Sequence, residues 1–151
     1  MKICFDTNVV IDILARASKY PESSISCDIA NLRKFDTYVP SSSVTDIAYV
    51  LHRFGQSKTQ IKDTLTTVCR LFDIIDVNGS DCHVAAESDM SDFEDAVIVA
   101  ASQRNGIDMI VTRDESDFEY SSVPTISPKD FVKQFCPPHY EYDTADTSLG
   151  K

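Results

Sequence analysis

Glycine is scarce in this chain, four residues in 151. No G-x-G-x-x-G, P-loop or G-x-S-x-G is present, which excludes the glycine-cradled nucleotide sites and the nucleophile elbow of serine hydrolases. Histidine is rarer still, with three residues, and is not clustered. The five cysteines (Cys4, Cys27, Cys69, Cys82, Cys136) are odd in number, scattered and without C-x-x-C pairing. That pattern excludes a cysteine zinc site and fits free thiols in a reducing cytosol. Long apolar runs are missing too: no window approaches the roughly 18 residues of a membrane span. The N-terminus lacks the basic stretch, apolar run and cleavage site of a signal peptide, so a cytoplasmic protein is expected.

Positive charge is the most uneven absence. From Leu71 to Gln103 there is no Lys or Arg, yet eight acids stand there: Asp73, Asp76, Asp81, Glu87, Asp89, Asp92, Glu94 and Asp95. The whole chain carries 24 acids against 14 bases, a net charge of −10. Such a run is either a solvated acidic face or a cation site. The overall acidity argues against holding nucleic acid by broad phosphate neutralisation. It leaves room for an enzyme whose metal ions supply local positive charge.

What is present is an ordinary globular composition, 42% hydrophobic and 25% charged, long enough for one domain with a proper core. The first eight residues, Met1-Lys2-Ile3-Cys4-Phe5-Asp6-Thr7-Asn8, organise the rest. Ile3, Cys4 and Phe5 predict a short strand buried on both faces, and Val9 to Leu14 a helix capped by Asn8. Tyr20-Pro21-Glu22-Ser23-Ser24 reads as a break, and Ile25, Ile29 and Leu32 as a second helix. Strands are then predicted at 37–39, 72–77, 107–112 and 123–126. Helices are predicted from Ser41-Ser42-Ser43 to Gly55, from Ser57 to Leu71, over 80–88, from Asp92 to Asn105-Gly106, and from Ser127-Pro128 to Phe135. Strands alternating with helices predict an α/β fold, a three-layer sandwich with a central parallel sheet. The domain is expected over 1–136, with 137–151 as a polar tail.

In such a sheet all strand ends point one way, and sites form at the carboxyl ends. Asp6 follows the first strand, Asp46 lies just beyond the second, and Asp114 follows the fourth. Asp95 begins a helix with Asp92 one turn before it on the same face. Each has an ordinary structural reading: Asp6 and Asp92 as helix caps, Asp46 as a helix-dipole partner, Asp114 or Asp117 as a turn residue. Jointly they mark a site. Packed carboxylates repel unless a cation neutralises them. Oxygen ligands without His or Cys favour Mg²⁺ or Mn²⁺ and phosphoryl chemistry.

Phe5-Asp6-Thr7-Asn8-Val9-Val10, Ser42 to Ile47, Asp92-Phe93-Glu94-Asp95-Ala96 and Val111 to Phe118 together resemble the PIN domain over about residues 1–135. That family includes the nucleases of VapBC-type toxin–antitoxin pairs. The resemblance implies a Mg²⁺- or Mn²⁺-dependent endoribonuclease on a parallel α/β/α sandwich. Asp6, Asp46, Asp95 and Asp114 match its acidic set, both as catalytic residues and as metal ligands. Thr7, Asn8, Asp92 and Asp117 stand beside them as auxiliary residues. Two departures matter: the second acid is often Glu in the family and is Asp46 here, and Asp114 replaces a common Asn, which leaves Asp117 as a competing fourth acid.

Two other functions compete. One is a PIN-like binding protein without catalysis. The other is a receiver-type signalling domain, which also has an acidic Mg²⁺ pocket but wants adjacent acids after strand one and an acceptor Asp ending strand three. A haloacid-type phosphatase needs a second Asp two residues after the first, where Asn8 stands. For RNA, Arg53, Lys58 and Lys62, with Arg70, fall on or between the two helices after Asp46. Lys58 and Lys62 share a helical face, either as plain solvation or as a phosphate grip. A nuclease toxin implies an antitoxin protein, one whose Arg enters the carboxylate cluster. Its apolar side chains are expected between the helices carrying Ile13, Leu14, Ile25 and Ile29. The resemblance also implies a homodimer.

Overall fold

The structure, a computed structural model, describes residues 1–17 and 19–141. Most of the tail expected at 137–151 therefore lies outside the described residues. Among the described residues five strands form one sheet: β1 (Lys2–Phe5), β2 (Asp36–Pro40), β3 (Asp73–Ile75), β4 (Met109–Val111) and β5 (Thr125–Ile126). Their order is β3-β2-β1-β4-β5, every pairing is parallel, and β1 lies in the centre. This is not the 2-1-3-4-5 order of flavodoxin-like folds, to which receiver domains belong. The receiver reading is set aside on that ground.

Among the described residues seven helices cover the sheet: α1 (Thr7–Ala15), α2 (Pro21–Leu32), α3 (Ser41–Arg53), α4 (Lys58–Leu71), α5 (Gly79–Ala86), α6 (Phe93–Arg104) and α7 (Pro128–Phe135). The alternation of β1 divides the core. Ile3 and Phe5 pack with Val10, Ile29, Ile47, Val68 and Phe131, from α1 to α4 and α7. Cys4 points the other way, against Ile98, Val99, Ile110 and Phe118, under α6. The three-layer α/β/α sandwich expected from the sequence is what forms.

Three local expectations are corrected. Asp6, not Asn8, caps α1, because the helix begins at Thr7, whose N–H donates to Asp6 Oδ1 at 2.6 Å. Asn8 is freed for another task. Pro21 does not break the chain; it opens α2 as its first residue, where its missing N–H costs nothing. Of the strands, β3, β4 and β5 are shorter than predicted, whereas β2 runs one residue further at each end. The residues after α7 are not all detached: Cys136 and Tyr140 pack against the core. All five cysteines are free thiols. No helix among the described residues is long and apolar enough to cross a membrane.

Candidate active site

Asp6 sits at the carboxyl end of the central strand and is 3% exposed. Its N–H continues the sheet by donating to Val111 O at 3.0 Å, so the backbone there cannot drift. Its Oδ2 accepts a hydrogen bond from Thr112 Oγ1 at 2.8 Å. Thr112 is the first residue past β4, and its Oγ1 accepts in turn from Asp114 N at 3.1 Å. A hydroxyl in a buried run must find partners; here it ties two acids together. Asn8 completes that side. Its Nδ2 donates to Asp114 Oδ2 at 2.8 Å, and its Oδ1 accepts from Arg113 N at 3.5 Å.

On the other side, Thr7 Oγ1 donates to Ser43 Oγ at 2.8 Å, which joins the start of α1 to the start of α3. Asp46 follows Ser43 by three residues and so faces the same way. Asp46 is hydrogen-bonded with Glu94 of α6. Asp92 caps α6, its Oδ1 accepting from Glu94 N at 2.8 Å and Asp95 N at 3.1 Å. That cap orients the first turn of α6, with Glu94 and Asp95, into a cleft of ≈ 200 Å³. Asp6, Thr7, Asn8, Ile11, Asp92, Glu94 and Asp95 line it.

The electrostatics follow from this crowding. Burial pushes the Asp6 carboxyl up to about 6, against the hydrogen bonds from Thr112 and Thr7, and the charge of Asp114 adds to the rise. Asp95 is pushed up to about 7, first by burial and then by the charges of Asp6, Asp92, Asp117 and Glu94. Glu94 reaches about 7 through its hydrogen bond with Asp46, then burial and the charge of Asp46. Among the described residues, no three His, Cys, Asp or Glu side chains stand close enough to enclose an ion. The donor chemistry nevertheless fits a hard divalent cation. The cleft walls offer oxygen ligands with neither imidazole nor thiol, and neighbouring acids oppose the ionisation of Asp6 and Asp95, a repulsion that a cation would relieve.

Sequence-predicted residues thus gather here: Asp6, Asp46, Asp95, Thr7, Asn8 and Asp92. Asp114 and Asp117 divide between two neighbours. Asp114 acts on Asp6 and is held by Asn8, whereas Asp117 acts on Asp95. Lys58 and Lys62 are exposed on α4, and Arg53 lies near the end of α3, its guanidinium 5.9 Å from the Tyr49 ring centroid. Sequence reasoning passed over Glu94, Thr112 and Ser43. The signal for Thr112 was a hydroxyl inside an apolar run; Glu94 stood in plain view beside Asp95, in the turn that Asp92 caps.

The apolar cleft overlaps the expected groove only at Leu14. Ile25 and Ile29 are buried in the core. The open cleft, ≈ 320 Å³, is lined by Ile11, Leu14, Val50, Leu51 and Phe54 of α1, α3 and the residue that follows α3, together with Gln56 and Thr64. Ile11 is a wall of both this cleft and the acidic one.

Solved structures share this fold, three of them as follows. VapBC2 from Rickettsia felis, bound to a DNA fragment from their promoter, matches with a TM-score of 0.67 at 12% identity, covering 84% of this chain and 98% of that one. FitAB bound to an IR36 DNA fragment matches with a TM-score of 0.64 at 18% identity, covering 83% and 94%. A toxin–antitoxin complex from Klebsiella pneumoniae matches at 0.59 and 19%, covering 83% and 97%. No curated protein sequence matches the chain. The profile of the PIN domain matches residues 2–116, three quarters of the sequence, in agreement with the strand order and the acidic cleft. The chain belongs to the PIN domain family.

Proposed function

We propose that the chain is a Mg²⁺- or Mn²⁺-dependent endoribonuclease, the toxin of a toxin–antitoxin pair acting in the cytoplasm. The observation that carries this reading is buried Asp6, fixed by two hydrogen bonds and ringed by Asp95, Glu94 and Asp114. Asp6 and Asp95 would hold the ion, with Asp46, Glu94 and Asp114 in support. When bound, such an ion offsets the carboxylate charge, stabilises charge on a phosphoryl oxygen and acidifies water. The chain supplies the rest. Thr112 and Thr7 keep Asp6 immobile. Asn8 orients Asp114. Glu94, raised to about 7 beside Asp46, is placed to take a proton from an attacking water near neutral pH.

The test is cleavage of defined RNAs by the purified chain, with Mn²⁺ or Mg²⁺ and with EDTA. Cleavage that EDTA abolishes supports the nuclease. RNA binding without metal-dependent cleavage would favour the catalytically silent PIN-like binding protein.

The structural neighbours are toxin–antitoxin complexes, which supports an antitoxin partner here. An antitoxin segment lying along α1 would cross Ile11 from the apolar cleft into the acidic one, bringing apolar side chains first and an Arg last. Gln56 Oε1 is buried beside the apolar cleft without a hydrogen-bond partner and would accept an N–H from that segment. The net charge of −10 steers a basic peptide inward. Co-expression with an adjacent reading frame, followed by light scattering, tests the pairing and the expected homodimer. Phe54 is 79% exposed, so Phe54→Asp should break the complex and leave free-enzyme cleavage unchanged. A complex that survives this substitution would place the partner elsewhere.

A further inference from the structure

Beside the acidic cleft lies a second pocket, of ≈ 250 Å³, whose walls include Tyr20, Glu22, Ser23, Arg113, Pro128 and Lys129. The chain leads from one to the other. Thr112 bonds Asp6, Asp114 bonds Asn8, and Arg113 stands between them. Along α1, Asn8 faces the acidic cleft, and Asp12, one turn on, holds Arg113 Nε at 3.0 Å. Asp12 is anchored in turn by Ser23 Oγ at 2.9 Å. The Arg113 guanidinium lies 4.0 Å from the Tyr20 ring centroid. The guanidinium thus pairs with a carboxylate and lies over an aromatic ring, while the side chain stays 26% exposed. Lys129 enters no ion pair among the described residues.

We infer that this pocket is a nucleobase subsite of the RNA substrate, taking one base beside the scissile phosphate; the inference rests on the ribonuclease reading above. Unstacked RNA bases stack on aromatic rings and guanidinium planes, and the Arg113 guanidinium, backed by the Tyr20 ring, offers such a plane to the pocket. A bare phosphate fits less well, because the carboxylates of Glu22 and Asp12 offset the two cations. A base matches the set: flat apolar walls, a cationic plane, and Glu22 to accept from an exocyclic amine. The volume is below the about 300–1,000 Å³ of pockets that engulf a whole small ligand, so the sugar stays outside. Lys129 then meets the adjoining phosphate. In an acidic protein whose cleft repels the RNA backbone, this grip supplies what the carboxylates cannot.

The test uses the full chain, Mn²⁺ and a set of single-stranded RNAs carrying one abasic residue at each position flanking the cleaved bond. For the unmodified protein, one abasic position should raise KM about tenfold, the scale of one base stack, with kcat little changed. Tyr20→Leu should raise KM similarly on intact RNA and lose the sensitivity to that position. Lys129→Glu, at an exposed residue that cannot upset folding, should weaken RNA binding and reduce its salt dependence by about one phosphate contact. If both variants keep the unmodified KM and the same abasic sensitivity, the subsite is overturned and the nuclease stands. If the unmodified chain cleaves no RNA with any divalent ion, the nuclease reading fails and the subsite falls with it.

Discussion

Thr112 Oγ1 donates to Asp6 Oδ2 across 2.8 Å, and the same oxygen accepts from Asp114 N. One hydroxyl thus favours the ionised form of the most buried acid of the cleft. Thr112→Val keeps the shape and removes that bond, which is worth about 1.5–3 kcal/mol when the acceptor is charged. The Asp6 carboxyl should rise further above about 6. The acid limb of the kcat/KM profile for RNA cleavage should move up by about one pH unit. An unmoved acid limb would show that Asp6 is not the group that must ionise.

Asp6→Asn should abolish cleavage while leaving the fold intact or more stable. The substitution removes one charge from a crowded cluster and deletes a metal ligand. Circular dichroism and melting establish the fold, and an RNA assay with Mn²⁺ establishes the loss. Retained metal-dependent activity in the folded variant would sink the assignment.

Melting temperature should depend on pH and on divalent ion together. The carboxyls of Asp6 and Asp95 are raised by burial to about 6 and about 7. An acid raised in this way favours folding fully below its unfolded value near ~4, and that contribution is lost as pH rises through 6 to 7. Asp81 is lowered by its hydrogen bond with Arg104 and acts in the opposite sense, but only on the acid side of that window. In EDTA the protein should therefore lose stability between about pH 5 and about pH 7.5. Each kcal/mol corresponds to about 2–4 °C in a domain of this size. Millimolar Mn²⁺ or Mg²⁺ should restore it by mass action, most at the alkaline end. A melting curve indifferent to the ion at neutral pH would count against a metal site.

Lys58 and Lys62 lie four apart on exposed α4. Joint replacement by Glu should weaken RNA binding and flatten its dependence on salt by about two phosphate contacts, with metal-induced stabilisation unchanged. An unaltered salt slope would place the RNA on the Arg113 side alone.

What the sequence determined is whatever depends on neighbours along the chain. The apolar run before Asp6, the serine and proline at the start of α7, and the capping pair Ser57 and Gln60 each set an element by local hydrogen bonds and periodicity. Strands alternating with helices then required a parallel sheet, and a parallel sheet required Asp6 and Asp114 to share one edge. Tertiary structure decided the pairing of side chains across that edge. Asn8 looked like a cap because caps are local; it instead reaches Asp114, 106 residues away. Glu94 and Asp46 meet only because the α6 helix start and the α3 face were brought together. Arg113 meets Tyr20 and Asp12 only once β4 lies beside β1. Buried charge finds its partners in three dimensions, since its energy depends on distance and dielectric, and neither is written in the order of the residues.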